Sequence, residues 1–411
     1  MGRVKKVTGS THEPFSPEKV FSAEASANKI IPNVLNTPQK YIQGDGVLRN
    51  LGLYLGLVGS GHTAVLLSGG GEKRFGEMIS QSLKRSGIVW TLVTFSGECS
   101  FEEIERVTEL LMKERTPVDS IVAIGGGKCL DTGRGVAYRL SVPAVICPTT
   151  ASTDAPCAGL SAIYFSDGKF RGVELYPLNP ALVIVDTRIA AQAPVRFIVS
   201  GMGDAMATWY EARTCFQNSK GKAMLGTRPT IASVAIAELC ANTLYDHGVK
   251  AVEAVRDSQV NESVERVVEA NTLMSGIGFE SCGLATAHCV AQGLTVIPSL
   301  HKNYLHGEMV AIGLMTHLVL EGKDDEAHKV GAFFSGVGLP AHLGQMSLNP
   351  EHDMETLRKI CKAAVELPFI QNEPFDVSPD SMLDAMLNAH KLGLEITASF
   401  GDAAYLAVHG K

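Results

Sequence analysis

Residues 120–148 read SIVAIGGGKCLDTGRGVAYRLSVPAVICP. A short apolar run, three glycines, an amphipathic stretch of helical length and a second apolar run follow one another without interruption. Two strands joined by a crossover helix give a parallel βαβ unit, and this unit decides the fold. Working outward, AVLLS (64–68) and IVWTLVTF (88–95) read as two further strands, with helices over about 73–86 and 101–115. The central helix falls at about 128–140, and ALVIVD (181–186) adds a last strand after a hairpin around SAIYFSDGKF. From about residue 196 the chain changes character. TIASVAIAELCANTLY, SVERVVEANTLMSGIGFES, GEMVAIGLMTHLVLE and DSMLDAMLNAHKLG are helical patterns, and β-branched runs of strand length are nearly absent. The expectation is a loosely ordered extension over 1–28, an α/β domain with a parallel sheet and flanking helices over 29–195, and an all-helical domain over 196–411. The boundary lies near APVRFIVSG (193–201).

The 411 residues carry a net charge of −7, with 45% hydrophobic and 19% charged side chains, an ordinary globular profile. No basic run stands out, so nucleic acid is not an expected partner, because phosphate contacts need clustered Lys and Arg. No apolar stretch reaches the roughly 18 residues of a membrane-spanning helix. Residues 1–28 lack the apolar segment of a signal peptide. Nine cysteines, at 99, 129, 147, 157, 215, 240, 282, 289 and 361, form no CxxC pair. That argues against a disulfide framework or a zinc ribbon, and reduced, buried thiols in a cytoplasmic protein fit best.

Glycines after a strand let backbone come close to a ligand, and the following helix offers free N–H groups and a positive dipole end to an anion such as a pyrophosphate. Gly125, Gly126 and Gly127 form such a turn. The pattern is neither GxGxxG nor a P-loop. A tight strand-to-helix turn, with Asp131 favoured by the helix dipole, explains the same residues. PTTASTDAPCAG (148–159) is a polar loop at the carboxyl end of the next strand, where open α/β sheets bind ligands. SGMGDAMATWYEA (200–212) sets Asp204 among small residues at an expected helix start, where a cap is the plain reading. His288 and His306 lie in GLATAHCVAQGL and LHGEMVAIG, on segments able to converge. Each alone reads as a hydrogen-bonded core histidine.

GGGKCLD, PTTASTDAP, GMGDAMATWYEA, GLATAH and LHGEMVAIG occur together and in this order. Together they resemble the iron-containing alcohol dehydrogenase superfamily, most of all its glycerol dehydrogenase branch, over nearly the whole chain from about residue 29. The resemblance implies a dehydroquinate synthase-like architecture, with a dinucleotide-binding domain facing a helical domain across a deep cleft. It implies a divalent metal held by Asp204, His288 and His306. One carboxylate and two imidazoles suit Zn²⁺ with open positions for substrate, and Fe²⁺ or Mn²⁺ remain alternatives. The implied reaction is reversible oxidation of glycerol, or a related vicinal diol, with the metal as Lewis acid and NAD as hydride acceptor. Glycerol would give dihydroxyacetone. Asp154 would hydrogen-bond a diol hydroxyl. Gly125, Gly126, Gly127, Lys128 and Asp131 would frame the pyrophosphate and nearby ribose. Thr149, Thr150, Ser152, Leu160 and Tyr164 would line the nicotinamide side. A homo-oligomer is implied as well, an octamer by the family pattern. Cys282 and Cys289 read as core residues.

Two departures bear on the details. The family often ends the strand after which the adenosine ribose binds in an Asp, which accepts from the 2′-hydroxyl of NAD. Here that position is Ser68, with glycines after it and Lys73 and Arg74 close by, so NADP use stands beside NAD. The alcohol and lactaldehyde branches tend to carry a histidine four residues after the first ligand histidine. Gln292 stands there, which favours the glycerol branch. Glu308 reads as a helix-start carboxylate in preference to a partner of a ligand imidazole. His301 has no implied ligand role. One rival reading is a glycerol-1-phosphate dehydrogenase or sugar-phosphate cyclase on the same scaffold, for which the motifs offer too few Lys and Arg. The other is a nucleotide- and metal-binding protein without turnover.

Overall fold

The computed structural model describes residues 14–410. Of the extension expected over 1–28, residues 1–13 lie outside the described part. The rest holds one helical turn, Glu18–Phe21, with no buried side chain.

Among the described residues eight strands follow: β1 (Lys40–Gly44), β2 (His62–Leu67), β3 (Val89–Thr94), β4 (Ser120–Gly125), β5 (Ala144–Pro148), β6 (Leu160–Tyr164), β7 (Phe170–Leu175) and β8 (Leu182–Asp186). Six form one parallel sheet in the order β1-β8-β5-β4-β2-β3, while β6 and β7 make a separate antiparallel hairpin. The central strands are buried on both faces, as parallel strands under helices must be, and their side chains divide with period two. Ala64, Leu66, Ile121, Ala123, Ile146 and Val183 join one apolar core. Val65, Leu67, Val122, Ile124, Val145 and Ile184 join the other. Helix α1 (Gly69–Arg85) packs Ile79 and Leu83 on the second core. Helices α2 (Phe101–Met112) and α3 (Gly127–Leu140) pack Ile104, Val107, Leu111, Leu130 and Val136 on the first.

Two features differ from the sequence expectation. Helix α1 starts at Gly69 rather than about 73, because Ser68 Oγ accepts the Gly71 N–H at 3.1 Å and caps it. Strand β1 has no pattern of its own: KYIQG is a part-buried sheet edge, paired on one side to β8.

Strand β2 leads through α1 to β3 on one side, and β4 leads through α3 to β5 on the other. The turns after β2 and β4 therefore flank the switch point of the sheet, the crevice where open α/β sheets bind ligands.

Among the described residues, every element after Asp186 is helical. The helices that matter below are α4 (Val195–Gln217), α5 (Ile231–Arg256), α6 (Thr286–Leu294) and α7 (His306–Leu320). Two further helical stretches, Glu262–Glu269 and Ser275–Cys282, are joined by a π-turn at Ala270–Met274. Such turns are rare and gather at functional sites. Residues 33–36 lie on this helical half before the chain enters the sheet: Asn33 Nδ2 donates to Pro229 O at 2.5 Å and Asn36 N to Ser281 Oγ at 2.9 Å.

Candidate active site

Asp204 lies in the middle of α4, which begins at Val195, so it caps nothing. His288 is the third residue of α6 and His306 the first of α7. Three helices thus bring one side chain each to one place, and close backbone contact makes this possible. A Cβ on Gly203 would stand 2.3 Å from Gly307 O, one on Gly307 1.8 Å from Ser200 O, and one on Gly313 2.0 Å from Ala287 O. No side chain fits at such distances; only glycine lets the helices approach this far.

One ligand atom from each of Asp204, His288 and His306 lies within 4.8 Å of the others. Both imidazole Nε2 atoms face Asp204 Oδ1, at 3.3 Å from His288 and 3.4 Å from His306. Asp204 Oδ1 is buried and has no hydrogen-bond partner. A buried polar atom left without a partner is destabilising by about 1–3 kcal/mol, more for a charged group. An oxygen and two nitrogens converging on one point are the donor set of a divalent cation site that keeps positions open for substrate. The residues therefore fit the metal centre that the motifs imply. Burial pushes the Asp204 carboxyl up, but the His306 and His288 imidazoles outweigh it and hold the group far below the usual carboxylate range. Burial lowers His288, but Glu211 and Asp204 outweigh it and hold the imidazole well above its ordinary value. A cation at this point would take over the positive charge that these carboxylates otherwise draw onto the imidazoles.

The loop after β5 ties this cluster to the sheet. Thr149 N donates to Gly125 O at 3.0 Å. Ala151 O accepts Asn271 Nδ2 at 3.0 Å. Thr150 and Ser152 hydroxyls lie 3.1 Å apart. Asp154 N reaches Asp204 Oδ2 at 3.3 Å, and Asp154 Oδ2 accepts Ser275 Oγ at 3.1 Å. Burial and the neighbouring Asp204 carboxylate push the Asp154 carboxyl well up. Asn271 lies in the π-turn and Ser275 directly follows it.

Glu211 is a site residue that motif reading passes over. Its Oε2 lies 2.5 Å from His288 Nδ1, and its Oε1 accepts Ala285 N at 2.7 Å and His288 N at 3.0 Å. The available signal is spacing: seven residues beyond Asp204 is two turns along the same face of α4. Asn271 and Ser275 carry no such signal. Glu308 is buried and holds Arg196 through both oxygens, at 2.6 and 2.7 Å. It also accepts His409 Nε2 at 3.1 Å and Leu305 N at 2.8 Å, closing the start of α7. His301 is exposed on the short helix Pro298–Asn303 and stands outside the ligand cluster. Cys282 and Cys289 are free, buried thiols.

At the switch point, Gly126 precedes α3 with no side-chain cap. A Cβ on Gly126 or Gly127 would meet nothing within 4 Å. This leaves an uncapped helix N-terminus with room beside it, the setting in which an anion binds. Gly125 serves the turn itself, since its Cβ would stand 2.9 Å from Cys129 Cβ. Lys128 Nζ bonds Glu98 Oε2 at 2.6 Å and lies 5.0 Å from the centre of the Tyr164 ring. Two of the residues expected at the cofactor are buried. Asp131 is buried, paired with Arg134, and accepts Ala162 N at 3.2 Å. Arg134 in turn holds Ala155 O at 2.9 Å, so this pair braces the loop beneath the site. Leu160 is buried in an apolar cluster with Ala158, Phe279 and Leu284.

A family model described as "Iron-containing alcohol dehydrogenase" matches residues 38–187. The glycerol dehydrogenase of Escherichia coli O6:H1 is 43% identical over 366 residues, covering 88% of this chain and 97% of that protein. The glycolaldehyde reductase of Halobacterium salinarum is 41% identical over 371 residues, covering 89% and 99%. The crystal structure of glycerol dehydrogenase from Schizosaccharomyces pombe matches with a TM-score of 0.84 at 32% identity, covering 90% of this chain and 93% of that one.

Proposed function

Because the chain belongs to the iron-containing alcohol dehydrogenase family, we propose that it oxidises glycerol, or a related small vicinal diol, reversibly to the hydroxyketone with NAD as hydride acceptor. The observation that carries this is the buried, unpartnered Asp204 Oδ1 faced by two imidazole nitrogens. It is the one place among the described residues where three metal-ligating side chains converge. Asp204, His288 and His306 would hold one divalent cation, with Zn²⁺ the best fit to the ligand types and Fe²⁺ or Mn²⁺ as alternatives. When bound, it would supply Lewis-acid polarisation of a substrate hydroxyl.

The chain's own residues do the rest. Asp154, fixed by Ser275, borders the cluster and would accept a hydrogen bond from a second diol hydroxyl, setting which carbon faces the cofactor. Gly126 and Gly127 would receive the pyrophosphate at the start of α3. Thr149, Thr150, Ser152 and Tyr164 would line the path from there to the metal ligands. Alignment of donor carbon and acceptor ring is what such a scaffold contributes to hydride transfer. A phosphorylated substrate is disfavoured: the nearby guanidinium groups, Arg134 and Arg196, are already paired with Asp131 and Glu308. The glycolaldehyde reductase relative keeps a second direction in view, reduction of a small hydroxyaldehyde at the same site. A homo-oligomer, octameric by the family pattern, and a cytoplasmic location complete the proposal. No helix of the described residues is long and apolar enough to cross a membrane.

Elemental analysis of wild type and Asp204→Ala, paired with a panel of diols, hydroxyaldehydes and their phosphates with both cofactors, tests this reading. The expected result is one metal per wild-type chain, lost in the variant together with turnover of glycerol. A variant that keeps its metal and its turnover refutes the ligand assignment. Turnover of glycerol phosphate but not glycerol refutes the substrate.

A further inference from the structure

We propose that Glu211 is a positioning residue that selects the tautomer of His288, so that the ring presents an unprotonated Nε2 to the metal cluster. The inference rests on the metal centre proposed above. Helix α6 begins after Ala285, which supplies no side-chain cap, and its first N–H groups need acceptors. Two buried carboxylates provide them. Glu373 Oε1 accepts Thr286 N at 3.2 Å and Thr286 Oγ1 at 2.6 Å. Glu211 Oε1 accepts Ala285 N and His288 N, at 2.7 and 3.0 Å. Both carboxylates close the same helix end, but Glu211 does one thing more. Its Oε2 stands 2.5 Å from His288 Nδ1.

An ionised carboxylate only accepts hydrogen bonds. The hydrogen of a neutral ring is therefore held at Nδ1, at the shorter of its two carboxylate contacts, and a cation between Nε2 and Asp204 Oδ1, 3.3 Å apart, would meet the Nε2 lone pair. An imidazole binds a metal only through an unprotonated nitrogen, and the hydrogen bond at the other nitrogen decides which one that is. Glu211 also fixes the ring's position, because one carboxylate grips both the backbone and the side chain of the same residue.

Glu211→Gln tests this. The glutamine carbonyl keeps the backbone N–H groups, which turns its NH₂ toward Nδ1. Nδ1 must then accept, and the ring hydrogen moves to Nε2. Zn²⁺ affinity, read by competition with a chromophoric chelator, is expected to fall about 10–100-fold. In zinc-free protein labelled with ¹⁵N-histidine and held at alkaline pH, where the ring is neutral, the His288 tautomer is expected to change from Nδ1–H to Nε2–H. Neither readout needs turnover. Glu373→Gln is the control: it weakens the same helix end and is expected to lower the melting temperature while leaving Zn²⁺ affinity unchanged. Wild-type affinity in Glu211→Gln overturns the proposal, as does an equal loss in Glu373→Gln. The zinc-free wild type at the same alkaline pH decides the matter even if Glu211→Gln does not fold, since an Nε2–H tautomer there overturns it. Failure of the wild type to bind Zn²⁺ in an Asp204-dependent way removes the metal centre itself, a different result from wild-type binding that Glu211→Gln leaves unchanged.

Discussion

Gly307→Ala is the most direct test of how this site is held together. A Cβ at residue 307 would stand 1.8 Å from Ser200 O, 2.7 Å from Ser200 C and 3.0 Å from Asp204 N. Ser200 and Asp204 are one turn apart in α4, so the new methyl group strikes the turn that carries the carboxylate. Restoring van der Waals contact requires α4 and the start of α7 to part by about 1.5 Å. A ligand constellation tolerates only about 0.5 Å of misplacement, and His306 is the adjacent residue. Overpacking of this kind destabilises by about 1–3 kcal/mol, a drop of several degrees in melting temperature. The larger effect is expected on the metal: Zn²⁺ affinity should fall by about 100-fold or more, beyond the effect of losing one supporting hydrogen bond. The assay is chelator competition on protein shown to be folded by far-ultraviolet circular dichroism, with calorimetry alongside. A folded Gly307→Ala enzyme with wild-type Zn²⁺ affinity would refute the view that glycine contacts set the ligand geometry.

The remaining predictions concern the nucleotide crevice and pH. Gly127→Ala adds a Cβ that meets no protein atom within 4 Å, so stability should stay level or rise by about 0.5 kcal/mol through helix propensity. The KM for NAD should nonetheless rise about tenfold or more, the equivalent of 1.4 kcal/mol; an unchanged KM argues against a phosphate at this turn. Ser68→Asp keeps a good cap on α1 and adds a carboxylate that accepts from a ribose 2′-hydroxyl and repels a 2′-phosphate. The ratio of kcat/KM for NAD over NADP should rise about tenfold or more, and an unmoved ratio places the adenosine ribose elsewhere. Glu280, which holds Gly159 N and Asn179 Nδ2, is pushed up by burial to about 7 from an ordinary 4.5. The folded state then keeps a proton that the unfolded chain has lost, so stability falls as pH rises between those values, by on the order of 3 kcal/mol. Urea unfolding of wild type and Glu280→Gln from pH 5 to 8 checks the sign: the wild type should lose ground to the variant as pH rises, and a constant difference refutes the shift.

Much of the scaffold is legible in the sequence because buried parallel strands are unbroken apolar runs. SIVAIG and AVICP could hardly be anything else between their glycines and helices, and the SAIYFSDGKF hairpin announces its turn. Strand β1 is not legible: a part-buried edge has no face to hide, and KYIQG owes its conformation to pairing with β8. At the site, the residues that stand in ordered motifs are the ones the fold gathers, namely Asp204, His288, His306 and Asp154. Asp131 and Leu160 stand in the same motifs yet turn inward, because a buried guanidinium and an apolar cluster claim them. The Asp131 partner is local, since Arg134 stands three residues on in the same helix, whereas the partners of Leu160 come from residues 279 and 284 and leave no local signal. Asn271 and Ser275 escape for a different reason: a π-turn arises from an extra residue in a helix, and the pattern of apolar residues around it remains helical.

In the proposed reaction one short loop would serve both cofactor and metal. The segment from Thr149 to Asp154 begins on the glycine turn, through Thr149 N and Gly125 O, and ends on the Asp204–His288–His306 cluster, through Asp154 N and Asp204 Oδ2. Between those ends, Asn271 grips Ala151 O and also holds Ile198 O of α4 at 3.1 Å. The same loop backbone is thus fixed to the sheet at one end and to the helical half at the other. Gly201 closes the remaining space, since a Cβ there would lie 2.1 Å from Ala151 O. Hydride transfer requires the donor carbon and the acceptor ring to be held within a fraction of an ångström of a productive distance. A loop pinned to both halves sets that distance through backbone contacts rather than through long side chains, whose rotamers would loosen it. The small residues that give the sequence its bland look around Asp204, His288 and His306 are therefore the structural requirement of the chemistry proposed for it.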